Sequence, residues 1–277
     1  MHLFISDLDG TLLNNAAELS PFTCAALSRL IGQGLAFTAA TARTIASAGK
    51  ILAPLPLSLP VILMNGVLIY DPLKKDYIQI NRLAPDLCRI ALQEMDSRGL
   101  EPFMYTVSDG EMHTLYRRFG SPAMEQFYSE RRQKYYKSFS RTPDLSSPAG
   151  DVIYFTLIDR RERLAPLYDA LSRESGFGLT FYRDIYSEDM WYLEVFSSAA
   201  SKENGVRFLR EHCRAERVTV FGDNLNDLPM FRAADRRIAV ANAAQEVKGA
   251  ADLIIGANTE DGVARFLEEN FVSGGKK

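Results

Sequence analysis

The chain opens on a short apolar run, His2-Leu3-Phe4-Ile5-Ser6, that stops at Asp7-Leu8-Asp9-Gly10. A run of that length closed by an acidic, glycine-containing turn predicts a buried strand delivering Asp7 and Asp9 at its carboxyl end. The pattern recurs along the chain. Residues 35–41, 61–64 and 218–221 are further apolar runs closed by polar turns, and 238–240 and 253–255 read as two more strands. Between them lie helix signals. Ser20-Pro21 starts a helix that should stop at Gln33-Gly34, another begins near Arg43, a third runs from Lys202 to about Cys213 under a Ser201 cap, and 262–270 closes the chain. Residues 67–70 and 77–80 flank Asp71-Pro72 as a hairpin. Strands alternating with helices imply an α/β fold, a doubly wound parallel sheet with helices on both faces.

The middle of the chain breaks this rhythm. From Leu83 to Met190 it is rich in aromatics, with strand-like segments at 103–107 and 152–157, a loop at 141–150, and helices expected at Asp86–Arg98 and Arg161–Glu174. This reads as an inserted α+β module of ~100 residues, within the usual domain range. The expected division is a core of residues 1–82 and 191–277, resuming with the strand Tyr192–Phe196, and an inserted domain of residues 83–190.

Composition narrows the partners. A net charge of −3 argues against a broad nucleic-acid surface. The basic stretch from Arg131 to Lys137, interleaved with Tyr135 and Tyr136, is then better read as a solvated helix face. The most apolar region, Ile51 to Met64, is broken by Pro54, Pro56 and Pro60, so it predicts no membrane span. No basic or long apolar segment precedes Asp7, and Cys24, Cys88 and Cys213 are odd in number and far apart. Both features point to a cytoplasmic chain whose cysteines are packing residues.

In an extended chain the spacing of Asp7 and Asp9 puts both carboxylates on one side. Adjacent carboxylates repel, so either a cation lies between them or one holds a proton. The whole string Asp7-Leu8-Asp9-Gly10-Thr11-Leu12-Leu13 resembles the first motif of the haloacid dehalogenase superfamily. Three companion motifs follow in order. Thr41-Ala42-Arg43 resembles the family's Thr-Gly-Arg, with Ala42 in place of the usual glycine. Lys202 opens a helix as the family's lysine does, although Glu203 stands where glycine often follows. Gly222-Asp223-Asn224-Leu225-Asn226-Asp227 matches Gly-Asp-x-x-Asn-Asp behind a buried strand.

The resemblance implies a Rossmann-like core with an inserted cap. It implies Asp7 as nucleophile and Asp9 as the group that protonates the leaving oxygen and then activates water. Leu8, Thr41, Ala42, Lys202 and Asn226 would bind phosphate, and Asp7, Asp9 and Asp223 would face Mg2+. Asp227 would hold a metal-bound water or orient Lys202. Asn65-Gly66-Val67 and the tail from Asn242-Ala243 to Gly262-Val263 resemble the Cof-type branch, whose large α/β cap (type IIB) lies between the second and third motifs. The implied activity is Mg2+-dependent hydrolysis of a small phosphorylated metabolite, such as a sugar, pyridoxal or flavin-type phosphate. A phosphomutase or phosphotransferase, a receiver-like signalling domain and a silent metabolite-binding relative are the alternatives. Tyr182, Arg183, Tyr186, Glu188 and Trp191 are read as core or hinge residues of the cap, the other reading being that they face the leaving group.

Overall fold

The computed structural model describes residues 1–135, 138–148, 150–183 and 190–271. Strand β1 (His2–Ser6) leads through the turn Leu8–Leu12 to α1 (Pro21–Gly32), β2 (Ala36–Ala39), α2 (Ile45–Leu52) and β3 (Val61–Leu63). Next come β4 (Leu68–Asp71), β5 (Asp76–Ile80), α3 (Pro85–Ser97), β6 (Phe103–Ser108) and β7 (Glu111–Tyr116). They are followed by α4 (Pro122–Tyr135), β8 (Phe139–Arg141), β9 (Val152–Asp159), α5 (Arg161–Leu171), β10 (Phe177–Arg183) and β11 (Trp191–Ser197). The last stretch holds α6 (Lys202–His212), β12 (Arg217–Gly222), α7 (Leu228–Ala233), β13 (Arg236–Val240), α8 (Gln245–Ala250), β14 (Leu253–Ile255) and α9 (Gly262–Asn270). The chain divides into two compact units, residues 1–79 with 201–277, and residues 80–200.

The first unit is built on a parallel sheet in the order β14-β13-β12-β1-β2. Its middle strands are buried on both faces, which is why Leu3, Ile5, Val218, Val220 and Phe221 form nearly continuous apolar runs. From β1 the chain steps to β2 on one side, and from β12 it steps to β13 on the other. Right-handed crossovers then put α1 on one face and α7 and α8 on the opposite face. The reversal between β1 and β12 is a topological switch point, where ligands of such sheets bind at the carboxyl ends of the strands. The caps act as their sequences predict: Ser20 accepts a hydrogen bond from the Thr23 N–H at 2.9 Å and Ser201 from the Asn204 N–H at 3.0 Å. One expectation changes. Strand β3 joins the parallel sheet only through a single Ala40–Ile62 bridge and otherwise belongs to an antiparallel sheet β3-β4-β5.

The second unit is a six-stranded sheet, β10-β11-β9-β6-β7-β8, antiparallel except for β7 beside β8. Helices α3 and α5 bury Cys88, Leu92, Met95, Leu164 and Leu167 against Met104, Phe155, Leu193 and Val195 of the sheet. Helix α4 packs its Phe127 on Phe103 and Tyr192. The basic stretch lies on this helix, with Arg131 over Phe127 and Arg132 over Tyr128, while Tyr136 and Lys137 lie outside the described residues.

Strand β11, expected to resume the core, instead pairs antiparallel with β9 and β10. The second unit therefore runs from residue 80 to residue 200 rather than from 83 to 190. Alternation fixes which side chains of a strand point inward, but not which sheet supplies its neighbours.

Candidate active site

Asp7 leaves β1 with its backbone N–H donated to the Phe221 carbonyl of β12 at 3.0 Å, so the last residues of the two strands are tied together. Its carboxylate is buried and accepts from Lys202 Nζ at 2.5 Å. Lys202, fully enclosed at the start of α6, also donates to Asp227 Oδ1 at 2.7 Å. The other oxygen of Asp227 accepts from the N–H groups of Asp223 at 2.9 Å and Asn224 at 3.1 Å, holding the loop after β12 in a tight cap. Thr11 donates to Asp223 Oδ1 at 2.9 Å and so links the two acidic loops. Asp227 orients Lys202, one of the two roles the resemblance implied for it.

Each of Asp7, Asp223 and Asp227 contributes a carboxylate oxygen, and the three lie within 4.8 Å of one another. Three carboxylates share one ammonium, so negative charge is left over. Burial raises the Asp7 pKa well above the usual carboxylate range, against the pull of Lys202 and with help from Asp227. Burial likewise pushes Asp223 up to about 6, partly opposed by its bond from Thr11. Lys202 moves the other way for its own reason. Burial pulls its pKa down, but Asp7 and Asp227 outweigh that and hold it above its ordinary value, so it remains a cation. An all-oxygen donor set with surplus negative charge fits a hard divalent cation.

Asp9 is not in this cluster. Its carboxylate accepts from Arg43 Nε at 2.7 Å and Arg43 Nη2 at 2.5 Å, with its side chain half exposed. The same-side expectation assumed extended backbone through both aspartates. The chain leaves extended geometry after Asp7 and turns tightly at Gly10, whose φ is +79°. A Cβ at Gly10 would fall 2.3 Å from Asp223 Oδ2, so only glycine lets the two loops approach. Arg43, quoted only as part of a motif, is the site residue that sequence reasoning missed, because no spacing rule joins positions 9 and 43.

The remaining expected residues take distinct places. The buried Thr41 hydroxyl accepts from the Arg43 N–H at 3.1 Å, and Ala42 is exposed with no left-handed φ, so replacing glycine there costs no backbone strain. Leu8 is buried within the turn, and Asn226 is exposed beside Asp227 with no side-chain hydrogen bond among the described residues. Glu203 turns to Arg207 and Arg232 at 2.9 and 2.8 Å and stays out of the cluster. Thr38 donates to the Pro60 carbonyl and is structural. The Cof-like segments support the loops. Gly66, at φ +96°, lets its turn meet Ser201, whose carbonyl would lie 2.2 Å from an added Cβ. Asn242 donates to the Gly10 carbonyl at 2.7 Å, and Asn258 donates to the Leu13 carbonyl at 2.8 Å.

In the second unit Trp191 is partly buried against the core, packed on Phe181 with Arg161 over its ring. Tyr182 donates to Glu194 Oε1 at 3.2 Å, Arg183 ends β10, and Tyr186 and Glu188 lie outside the described residues. Cys24, Cys88 and Cys213 are free thiols, and burial pushes Cys88 up to about 11. Among the described residues no helix is long and apolar enough to cross a membrane.

Fold and site together gather the carboxylates of Asp7 and Asp223 just beyond the carboxyl ends of two adjacent parallel strands of an α/β sheet. The chain belongs to the haloacid dehalogenase-like hydrolases, whose family model matches residues 4–267. It is similar to the pyridoxal phosphate phosphatase YbhA of Escherichia coli, 27% identical over 96% of this chain and 97% of that one. The crystal structure of TM0651 from Thermotoga maritima superposes with a TM-score of 0.80 at 25% identity, covering 98% of both chains. BT4131, described as a subclass IIB sugar phosphatase of the same superfamily, shares the fold with a TM-score of 0.72 at 18% identity, over 97% of this chain and 98% of that one. The chain is accordingly an enzyme, a phosphatase of this family.

Proposed function

We propose that the chain is a Mg2+-dependent phosphatase that hydrolyses a phosphate monoester of a small metabolite through an aspartyl-phosphate on Asp7. The observation that carries this is the buried Asp7 carboxylate, gripped through one oxygen by Lys202 and set beside Asp223 at the sheet's switch point. Lys202 holds Oδ1, leaving Oδ2 of Asp7 to attack phosphorus. The P–O bond to the leaving alcohol breaks as Asp9 gives that oxygen a proton. Asp9 then takes a proton from water, whose oxygen attacks the phosphoryl group and returns Asp7 as a carboxylate with release of phosphate. Thr41, Lys202 and the backbone N–H groups of Leu8 and Ala42 stabilise charge on the phosphoryl oxygens. Asp7 and Asp223 would hold Mg2+, which supplies further neutralisation of phosphate charge, and the Asp9 carboxylate is left to proton transfer.

The names of YbhA and BT4131 make pyridoxal phosphate and sugar phosphates the first substrates to try, and flavin-pathway phosphates complete the set. The test is a screen of phosphorylated metabolites with Mg2+, scored as free phosphate and, separately, as phosphate passed to a second hydroxyl. Free phosphate that vanishes in Asp7→Asn supports the reading. Transfer without release would make the chain a phosphotransferase, and a folded Asp7→Asn enzyme with near-normal turnover would end the mechanism.

A further inference from the structure

A carboxylate that gives up a proton and takes one back needs a fixed position, and Asp9 has little of its own to fix it. It lies in the Leu8–Leu12 turn with its side chain half exposed, and Arg43 supplies every hydrogen bond found to its carboxylate among the described residues. Arg43, by contrast, is held at several points. Its N–H donates to Thr41 Oγ1 at 3.1 Å, its carbonyl accepts from the Met64 N–H at 3.1 Å, and its Nη1 donates to Ser47 Oγ at 2.9 Å. Ser47 is buried in the first turn of α2. A line of support therefore runs from a helix, through a planar guanidinium, to both oxygens of the acid–base group.

We propose that Arg43, anchored through Ser47, is the positioning residue for Asp9. It grips both carboxylate oxygens at rest. It keeps one while the other exchanges a proton, first with the leaving oxygen and then with water. A forked guanidinium suits this because its two parallel bonds set the plane of a carboxylate as well as its distance, which an ammonium does not do. Displacement of a reacting group by about 1 Å costs up to about 100-fold in rate. The inference rests on the phosphatase reading above and adds a residue to it. Arg43 could instead serve the phosphate directly, and then its loss would be felt whether or not Asp9 is present.

That difference is the test. Wild type, Arg43→Ala, Asp9→Asn and the double variant are assayed with Mg2+ on an aryl phosphate and on the best metabolite from the screen. Removing the guanidinium should lower kcat about 10- to 100-fold with KM within about threefold, a share of what general acid–base catalysis supplies. In the Asp9→Asn background the same change should cost less than about threefold, because residues acting as one unit are not additive. Arg43→Lys should recover part of kcat, and Ser47→Ala should cost a few-fold only when Asp9 is present, which keeps the test alive if Arg43→Ala does not fold. Multiplicative losses, or a raised KM with kcat unchanged, overturn the Arg43 assignment while leaving the phosphatase reading intact. A wild type inactive on every phosphate ester would sink that reading, and the assignment with it.

Discussion

Both units hold a carboxylate whose pKa desolvation has raised, Asp7 fully buried and Glu194 partly so, and they resolve the cost in different ways. In the second unit Glu194 of β11 is approached by neutral donors, the hydroxyls of Tyr154 and Tyr182, which only partly offset its burial. Around it Tyr182 stacks on Tyr192 and Tyr154 on Phe196, so its immediate partners are aromatic. In the first unit Asp7 faces a full cation, Lys202, yet Asp223 and Asp227 add more negative charge than that cation offsets. The Glu194 cluster can satisfy itself by holding a proton. The Asp7 cluster sets three carboxylates against one ammonium, and the Mg2+ of the proposed function would complete that balance.

The comparison breaks most sharply at Asp7 and Lys202. Asp7→Asn should lower phosphate release by at least about 1,000-fold with the fold retained, as losses at nucleophiles do. Lys202→Ala leaves Asp7 and Asp227 buried without their cation and should cost about 3–5 kcal/mol in denaturant unfolding. If Lys202→Ala proves as stable as wild type, the cluster is not electrostatically unfinished.

Metal linkage is the next test. Mg2+ at 100 times its dissociation constant should stabilise the folded chain by about 2.7 kcal/mol, and Asp223→Asn should remove most of that gain. Without metal the proton on Asp223 leaves at a pH of about 6, so below that pH protons compete for the site. The apparent Mg2+ affinity, read from thermal shifts, should therefore fall as pH drops through 6. Flat affinity from pH 5 to 8 would contradict the burial of Asp223 (a range of about three units around that value).

The smallest effects belong to Glu194. A carboxylate whose pKa is raised in the folded state stabilises the fold fully below its unfolded value of 4.5 and loses that contribution as pH rises. Glu194→Gln, which mimics the protonated form, should flatten that part of the pH–stability curve and change stability at neutral pH by under about 1 kcal/mol. Tyr182→Phe should cost about 1 kcal/mol, the worth of one hydrogen bond. A loss as large as that of Lys202→Ala would mean that Glu194 is held ionised and that the two clusters are alike.

Much of this was legible in local pattern. The strand ending at Asp7, the Ser20 and Ser201 caps, and the loop from Gly222 to Asp227 depend on neighbours in the chain, so short-range rules reach them. The membership of β11 was not legible, because Leu193 and Val195 alternate as well in one sheet as in another. The turn of Asp9 toward Arg43 was not legible either, since it follows from the left-handed Gly10 and from a residue 34 positions away.

By itself the sequence determined the alternation of strands and helices, the acidic loops at strand ends and the family to which they belong, because periodicity, capping and motif spacing are local properties. Tertiary structure alone decided that Asp9 stands apart from the cluster of Asp7, Asp223 and Asp227, and that Arg43 holds it. Those outcomes depend on how β1 and β12 are brought side by side and on which charges burial then forces to share one cation.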